Sequence, residues 1–123
     1  MAKPLVWVIG GDMMVRSTVE MILLRSGIDV STSGNMHEIA TPLADRDANA
    51  VIIAGGVSDS ADRREAFRAV RALSDAPVIM LVGRWIGADR ADSPDRLPYL
   101  VMEKPFTSDA LLLRLQEALA DGP

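Results

Sequence analysis

The hydrophobic residues of this chain are gathered into short runs that alternate with longer amphipathic or polar segments. Three of the runs are apolar nearly throughout, which is typical of parallel strands that are covered on both faces. The runs are LVWVIG at 5–10, IDVST at 28–32, AVIIAG at 50–55, PVIMLVG at 77–83 and YLVM at 99–102. The pattern therefore predicts five strands, most of them fully buried.

Helical periodicity is present in the segments between and after these runs. In the first segment, apolar positions recur at helical spacing up to Gly27, a residue type that commonly ends helices. The predicted helices are 12–26, 35–45 with a break or kink at Pro42, 60–74, and a last one that begins after Thr107 or Ser108 as N-cap and runs to about Ala120.

A further helix is due between the fourth and fifth strands. The segment there, GRWIGADRADSPDRLP at 83–98, contains two glycines and two prolines, so we expect a loop or a single short turn of helix. Strands that alternate with helices predict a parallel sheet with right-handed crossovers. The expected fold is α/β, a flavodoxin-like (βα)5 doubly wound sheet with an irregular fourth helix.

Composition narrows the class of protein. The chain has 123 residues, a length typical of one domain, so 1–123 is interpreted as a single unit. It has no cysteine, which excludes disulfides, thiol nucleophiles and zinc–thiolate sites. Its net charge of −4 gives no general attraction for nucleic acid. Without a long apolar segment or a signal peptide, we expect a cytoplasmic protein that does not bind membranes.

Glycines lie at the ends of three predicted strands. In open α/β sheets the carboxyl ends of the strands are where ligands bind. Backbone N–H groups, a helix N-terminus and a lysine together could hold an anion or nucleotide, although neither GxGxxG nor a P-loop is present. Tight turns without a ligand are the alternative. This edge consists of Gly10, Gly11, Asp12, Gly55, Gly56, Gly83 and Lys104.

Three stretches carry a resemblance to a known family. They are GGDMMVR after the first strand, PVIMLVG as the fourth strand, and the tripeptide KPF after the fifth. In this order the chain resembles, over essentially its whole length, the receiver domain of two-component response regulators, the CheY-like fold. The resemblance implies phosphoryl transfer to an aspartate at the end of strand three, assisted by Mg²⁺ that an acidic pair after strand one helps to hold.

This chain departs from that pattern at nearly every reactive position. The family's acidic pair aligns with Gly10 and Gly11, the acceptor aspartate with Ala54 or Gly55, the strand-four hydroxyl residue with Val82, and the lysine with Lys104. Asp12 could supply one oxygen to a metal, but capping the following helix is the better interpretation. We therefore expect a degenerate receiver domain with no metal, no cofactor and no catalytic residues.

An interaction surface is the remaining candidate feature. In the last helix Leu111, Leu112, Leu115, Ala118 and Leu119 share one arc, whereas Leu113 points nearly opposite. In receivers, helix four, strand five and helix five form the usual dimer and partner surface. The corresponding candidate residues here are Arg84, Trp85, Ile86, Val101 and Leu113. The seven methionines, including Met13 and Met14, are expected to pack in the core.

Three classes of function follow. We expect a signalling module that does not accept a phosphoryl group and that binds a protein partner or dimerises through 83–103 and the last helix. The alternative is a sensor that binds a small ligand, anion or nucleotide at the glycine-lined edge. An enzyme is disfavoured because the strand ends offer no nucleophile paired with a base. His37, the only histidine, is expected to be an ordinary surface residue. Ser58 and Asp59 are expected to form a turn or cap before the helix at 60 and not to act as displaced phosphate acceptors.

Overall fold

The computed structural model of this chain describes residues 3–34, 47–55, 60–83 and 99–120. They form five strands and three helices. The strands are β1 (Leu5–Ile9), β2 (Asp29–Ser33), β3 (Ala50–Ile53), β4 (Val78–Val82) and β5 (Leu100–Glu103), and the helices are α1 (Met13–Arg25), α2 (Ser60–Arg71) and α3 (Ser108–Ala120). All five predicted strands and three predicted helices are confirmed. The helix expected at 35–45 and the loop at 84–98 lie outside the described residues.

The strands form one parallel sheet in the order β2-β1-β3-β4-β5. This confirms the doubly wound, flavodoxin-like α/β fold. The order reverses between β1 and β3, because the chain leaves β1 toward β2 on one side and returns to β3 on the other. Such a reversal leaves a crevice at the carboxyl ends of the two strands, which is where ligands bind in open α/β sheets.

Alternate residues of the strands supply two separate cores. Trp7, Ile9 and Met80 face one side of the sheet, where Ala66 and Val70 of α2 pack against them. The even-numbered residues of β1 and β3 face the other side, against α1 and α3. Because both faces are covered, the central strands are buried along their whole length, as the continuous apolar runs predicted.

The ends of the helices follow the predicted capping. Asp12 caps α1, with its carboxylate oxygen accepting a hydrogen bond from the Val15 N–H at 2.9 Å. Of the two candidates for α3, Thr107 is the cap, because its hydroxyl accepts a hydrogen bond from the Ala110 N–H at 3.0 Å. Each cap satisfies a helix N–H that has no partner within the helix.

The expectation that Met13 and Met14 pack in the core is wrong. They are 72% and 81% exposed, and Met21 and Leu24 on the same helix are 51% and 54% exposed. The core side of α1 is supplied by Val19 and Leu23, which are fully buried. The two methionines begin the helix on the side that faces away from the sheet, so α1 has apolar residues on both of its sides. No helix among the described residues could span a membrane.

Candidate functional site

The crevice between the ends of β1 and β3 is built by backbone. Ile9 pairs with Ile53 at the last register position, and the Ala54 N–H donates to the Ile9 carbonyl at 2.7 Å. Beyond this point the chain turns at Gly10 and Gly11, which have φ values of 75° and 72°. L residues with side chains rarely adopt this left-handed conformation, so glycine is the residue that permits the turn.

Gly11 and Gly55 lie in direct contact across the crevice. A Cβ built on Gly11 would lie 2.8 Å from the Ala54 carbonyl oxygen, and a Cβ built on Gly55 would lie 2.8 Å from the Gly11 Cα. Both distances are shorter than real Cβ contacts. The two loops are therefore so close that neither position has room for a side chain unless the backbone moves.

Ala54 and Gly55 are the two positions that could correspond to the acceptor aspartate of the receiver family. A side chain at each of them would have different surroundings. Ala54 is fully buried among the apolar side chains between the sheet and helices α1 and α3. A Cβ on Gly55 would instead point to the edge, 3.6 Å from the Lys104 Nζ. Of the two positions that the alignment left open, Gly55 is the one that faces the lysine.

Lys104 follows β5 and is half-buried. Its own N–H donates to the Val82 carbonyl at 2.8 Å, which ties the residue to the end of β4. In the part of the chain that the structure describes, no carboxylate forms an ion pair with its ammonium group. Gly55 lies beside this group, since a Cβ built on Gly55 would be 3.6 Å from the Lys104 Nζ.

Asp12 stands at the same edge, where its carboxylate caps α1. The prediction that it serves as N-cap is confirmed by its hydrogen bond to the Val15 N–H. An anion already occupies the N-terminal end of this helix, where the helix dipole favours negative charge. This reduces the capacity of the helix terminus to hold a second anion.

The cap has a measurable consequence. We expect Asp12→Ala to lower the free energy of unfolding by about 1 kcal/mol, because the Val15 N–H loses its acceptor. Asp12→Asn keeps an acceptor oxygen at the same position, so its free energy of unfolding should fall much less. Urea unfolding followed by circular dichroism measures both, and equal losses for the two variants would contradict the capping role.

Arg16 is the member of this edge that sequence reasoning missed. Its guanidinium donates to the Gly11 carbonyl and, at 3.4 Å, to the Gly10 carbonyl. The same group covers Gly34, where a Cβ would lie 3.2 Å from it. A positive charge in the first turns of a helix interacts unfavourably with the helix dipole. The position of Arg16 in the sequence could therefore have indicated that its guanidinium has a local hydrogen-bond partner. The side chain holds the glycine turn in place.

The residues of the edge do not suit Mg²⁺. That ion requires near-octahedral oxygen ligands, normally including carboxylates. Gly10, Gly11 and Gly55 have no side-chain oxygen, and the Asp12 carboxylate is hydrogen-bonded in its cap. The described residues contain no group of three or more histidines, aspartates or glutamates that could hold a metal ion.

Val82 and Val101 lie on the adjoining strands. Val82 ends β4 and is 3% exposed, whereas Val101 in β5 is partly buried, and both contact the core on the α2 side. Neither side chain has a hydroxyl group. The Val82 side chain therefore cannot donate a hydrogen bond to a group bound at this edge.

The other predicted site residues are placed as follows. Gly83 is exposed at the end of β4, and a Cβ there would contact nothing. On α3, Leu113 is 57% exposed, whereas Leu111, Leu115 and Ala118 are buried. Gly56, Arg84, Trp85 and Ile86 lie outside the described residues, so the candidate interface is represented here by Val101 and Leu113.

Comparison with solved structures identifies the architecture. Chemotaxis response regulator CheY4 of Vibrio cholerae superposes with a TM-score of 0.74, 20% identity, and coverage of 95% of this chain and 99% of that one. The chain has the receiver-domain fold. A response regulator from Thermotoga maritima gives a TM-score of 0.72 at 21% identity, with 98% of this chain and 100% of that one covered.

A third similar structure was solved with its metal. It is the receiver domain of a sensor histidine kinase from Pseudomonas aeruginosa with magnesium coordinated in the active-site cleft; the TM-score is 0.71 at 18% identity, over 98% of this chain and 100% of that one. No family model and no curated protein matches the sequence. The likeness is therefore one of fold.

Proposed function

We propose that this protein is a receiver-like signalling module that acts by protein–protein interaction, including self-association, and neither accepts nor transfers a phosphoryl group. The observation that carries the proposal is the contact between Gly11 and Gly55. Neither glycine supplies a carboxylate, and the contact leaves no space for a phosphorylated aspartate with Mg²⁺ unless the backbone moves. As part of the same proposal, the protein acts by binding and catalyses no reaction.

The positions that would report phosphorylation support the same proposal. A receiver of the usual kind needs a hydroxyl at the end of strand four to bond the phosphoryl group. Here that position is Val82, which is packed in the core with the partly buried Val101 near it on the next strand. This arrangement favours one constitutive state of the β4–β5 side over a switch between two.

A surface for partners remains on that side. Leu100 at the start of β5 is 37% exposed and Leu113 on α3 is 57% exposed. A single exposed leucine is common, but residues of the same kind on the strand and helix that form the usual receiver interface favour recognition there. Fold similarity by itself does not assign the partner.

The alternative, a sensor of small anions or nucleotides at the glycine-lined edge, has less support. Asp12 already places a carboxylate at the helix terminus, and the guanidinium of Arg16 is bonded to backbone carbonyls. Lys104 is then the one side chain of the described edge that would remain to attract an anion.

The proposal is tested by adding beryllofluoride with Mg²⁺, or acetyl phosphate with Mg²⁺, to the protein. We expect no incorporation of phosphate and no change in amide chemical shifts near Gly55 or Lys104. Stable phosphorylation, or Mg²⁺-dependent shifts that saturate, would overturn it. Thermal unfolding with inorganic phosphate and with nucleotides tests the sensor alternative, because a ligand present at 100 times its Kd stabilises a protein by about 2.7 kcal/mol.

A further inference from the structure

The outer face of helix α1 carries a second exposed apolar surface, made of other residues than Leu100 and Leu113. Its exposed side chains are mostly apolar: Met14 is 81% exposed, Met21 51% and Leu24 54%, and Ser17 between them is also exposed. Helices that are apolar on both sides are normally covered on both sides. The inner side of α1 is covered by the sheet, through Val19 and Leu23.

These outer residues have the spacing of a coiled coil. Met14 and Met21 are seven residues apart, and Ser17 and Leu24 each follow one of them by three. In a heptad written abcdefg, the methionines take position a, and Ser17 and Leu24 take position d. Positions a and d are the ones that meet a second helix, and we call these four residues the outer α1 face.

The same register places the buried residues on the opposite side. Val15 and Ile22 fall at position b, Val19 at f and Leu23 at c, and all four pack toward the domain's own core. A helix that met the outer α1 face would therefore lie opposite the sheet, and its own domain would extend away from this one.

The charges that flank the outer α1 face are complementary between two parallel copies of this helix. Glu20 precedes Met21 and takes position g, whereas Arg25 follows Leu24 and takes position e. In a parallel pair of helices, a g residue lies against the e residue five positions further along the other helix. Two copies of this helix therefore bring Glu20 of each against Arg25 of the other, twice across the twofold axis.

An antiparallel pair would not have this complementarity, because g then faces g and the two Glu20 carboxylates come together. Arg25 has no ion pair among the described residues and is exposed, so its guanidinium is accessible to a second copy. Met13 is 72% exposed and also takes position g, so in the parallel pair it would lie against Thr18 of the second copy. In each copy, Thr18 lines a cleft of about 340 Å³ between α1 and α3.

We propose that two copies of this chain associate in parallel through the outer α1 face, with Met14, Met21 and Leu24 at the contact and Glu20–Arg25 pairs at its rims. The helix has 13 residues and is about 20 Å long. Its face is smaller than the roughly 800 Å² per partner of a standard stable interface. The dimer is therefore weak and forms at high local concentration.

Sedimentation velocity from micromolar to millimolar protein measures this association. We expect the sedimentation coefficient of the unmodified chain to rise with concentration, and that of Met21→Lys to stay at the monomer value. Glu20→Lys and Arg25→Glu each create like-charge pairs and should weaken the dimer about tenfold. The double variant Glu20→Lys/Arg25→Glu restores opposite charges and should recover the original Kd. In an antiparallel pair each single variant would only replace one like-charge pair by another, so a Kd that neither single variant changes would contradict the parallel orientation.

Leu113→Glu on α3 is the matched control, since it also places a charge at an exposed leucine but outside α1. It should leave the association unchanged. A monomer at every concentration, or a dimer that Leu113→Glu dissociates and Met21→Lys does not, would overturn the proposal. Far-UV circular dichroism establishes that each variant is folded. The phosphorylation experiment above is independent of oligomeric state, so either proposal can fail without the other.

Discussion

Ala54→Asp is expected to leave the protein largely unfolded at neutral pH, whereas Gly55→Asp is expected to leave it folded. The Ala54 methyl is fully buried among apolar side chains under α1 and α3. A carboxylate there would lose its hydration without gaining a partner, at an effective penalty of several kcal/mol. That is comparable with the whole stability of a small domain, about 5–15 kcal/mol.

A carboxylate at Gly55 meets different surroundings. Its Cβ would lie 3.6 Å from the Lys104 Nζ, so the new charge has a cation beside it. Its Cβ would also lie 2.8 Å from the Gly11 Cα, which forces the two loops apart. Overpacking of this kind costs about 1–3 kcal/mol. Gly55→Asp is therefore expected to lower the free energy of unfolding by less than Ala54→Asp does.

Urea unfolding at neutral pH compares the two aspartates. Ala54→Asn and Gly55→Asn, which have nearly the same volume without the charge, separate the electrostatic part of each loss from the steric part. Equal stability of the two aspartate variants would contradict the placement of Ala54 in the core and of Gly55 at the edge.

Gly11→Ala is expected to lower the free energy of unfolding by about 2–5 kcal/mol. Gly11 has a φ of 72°, a left-handed conformation that costs residues with a Cβ about 1–2 kcal/mol. The added methyl would also lie 2.8 Å from the Ala54 carbonyl oxygen, a backbone atom that cannot move aside as a flexible side chain can.

Gly27→Ala is the control for this substitution. Gly27 has nearly the same conformation, with a φ of 78°, but a Cβ there would contact nothing within 4 Å. Gly27→Ala should therefore lower the free energy of unfolding only by the cost of the left-handed backbone conformation, about 1–2 kcal/mol. The difference between the two variants in chemical denaturation therefore measures the closeness of Gly11 to the end of β3. If both lost the same free energy, the two loops would be further apart than described.

Much of the fold could be predicted because it depends on local pattern. Continuous apolar runs predicted the strands, since strands covered on both faces need no polar side. Helical spacing and capping residues predicted α1, α2 and α3, including the cap at Asp12. The outer side of α1 could not be assigned in this way. Met13 and Met14 are apolar, and hydrophobicity alone does not tell which side of a helix meets the sheet.

At the candidate site, the prediction that receiver chemistry is absent rests on residue types alone, because a glycine or a valine has no side-chain oxygen to bind Mg²⁺ or to accept a phosphoryl group. The alignment could not choose between Ala54 and Gly55, since the two are adjacent and similar in size. The structure separates them by direction: one faces the core and the other faces Lys104.

The sequence by itself determined which elements form, how they follow one another, and which reactive groups the edge lacks, because these depend on composition and on spacing along the chain. Only the tertiary structure decided that Gly11 touches the loop after β3, that Arg16 holds the glycine turn, and that α1 leaves an apolar face uncovered. Those contacts join residues from different elements, and their distances depend on how the strands and helices pack. Gly11 thus lies in a close contact between two backbones, which is a property that no single stretch of sequence carries.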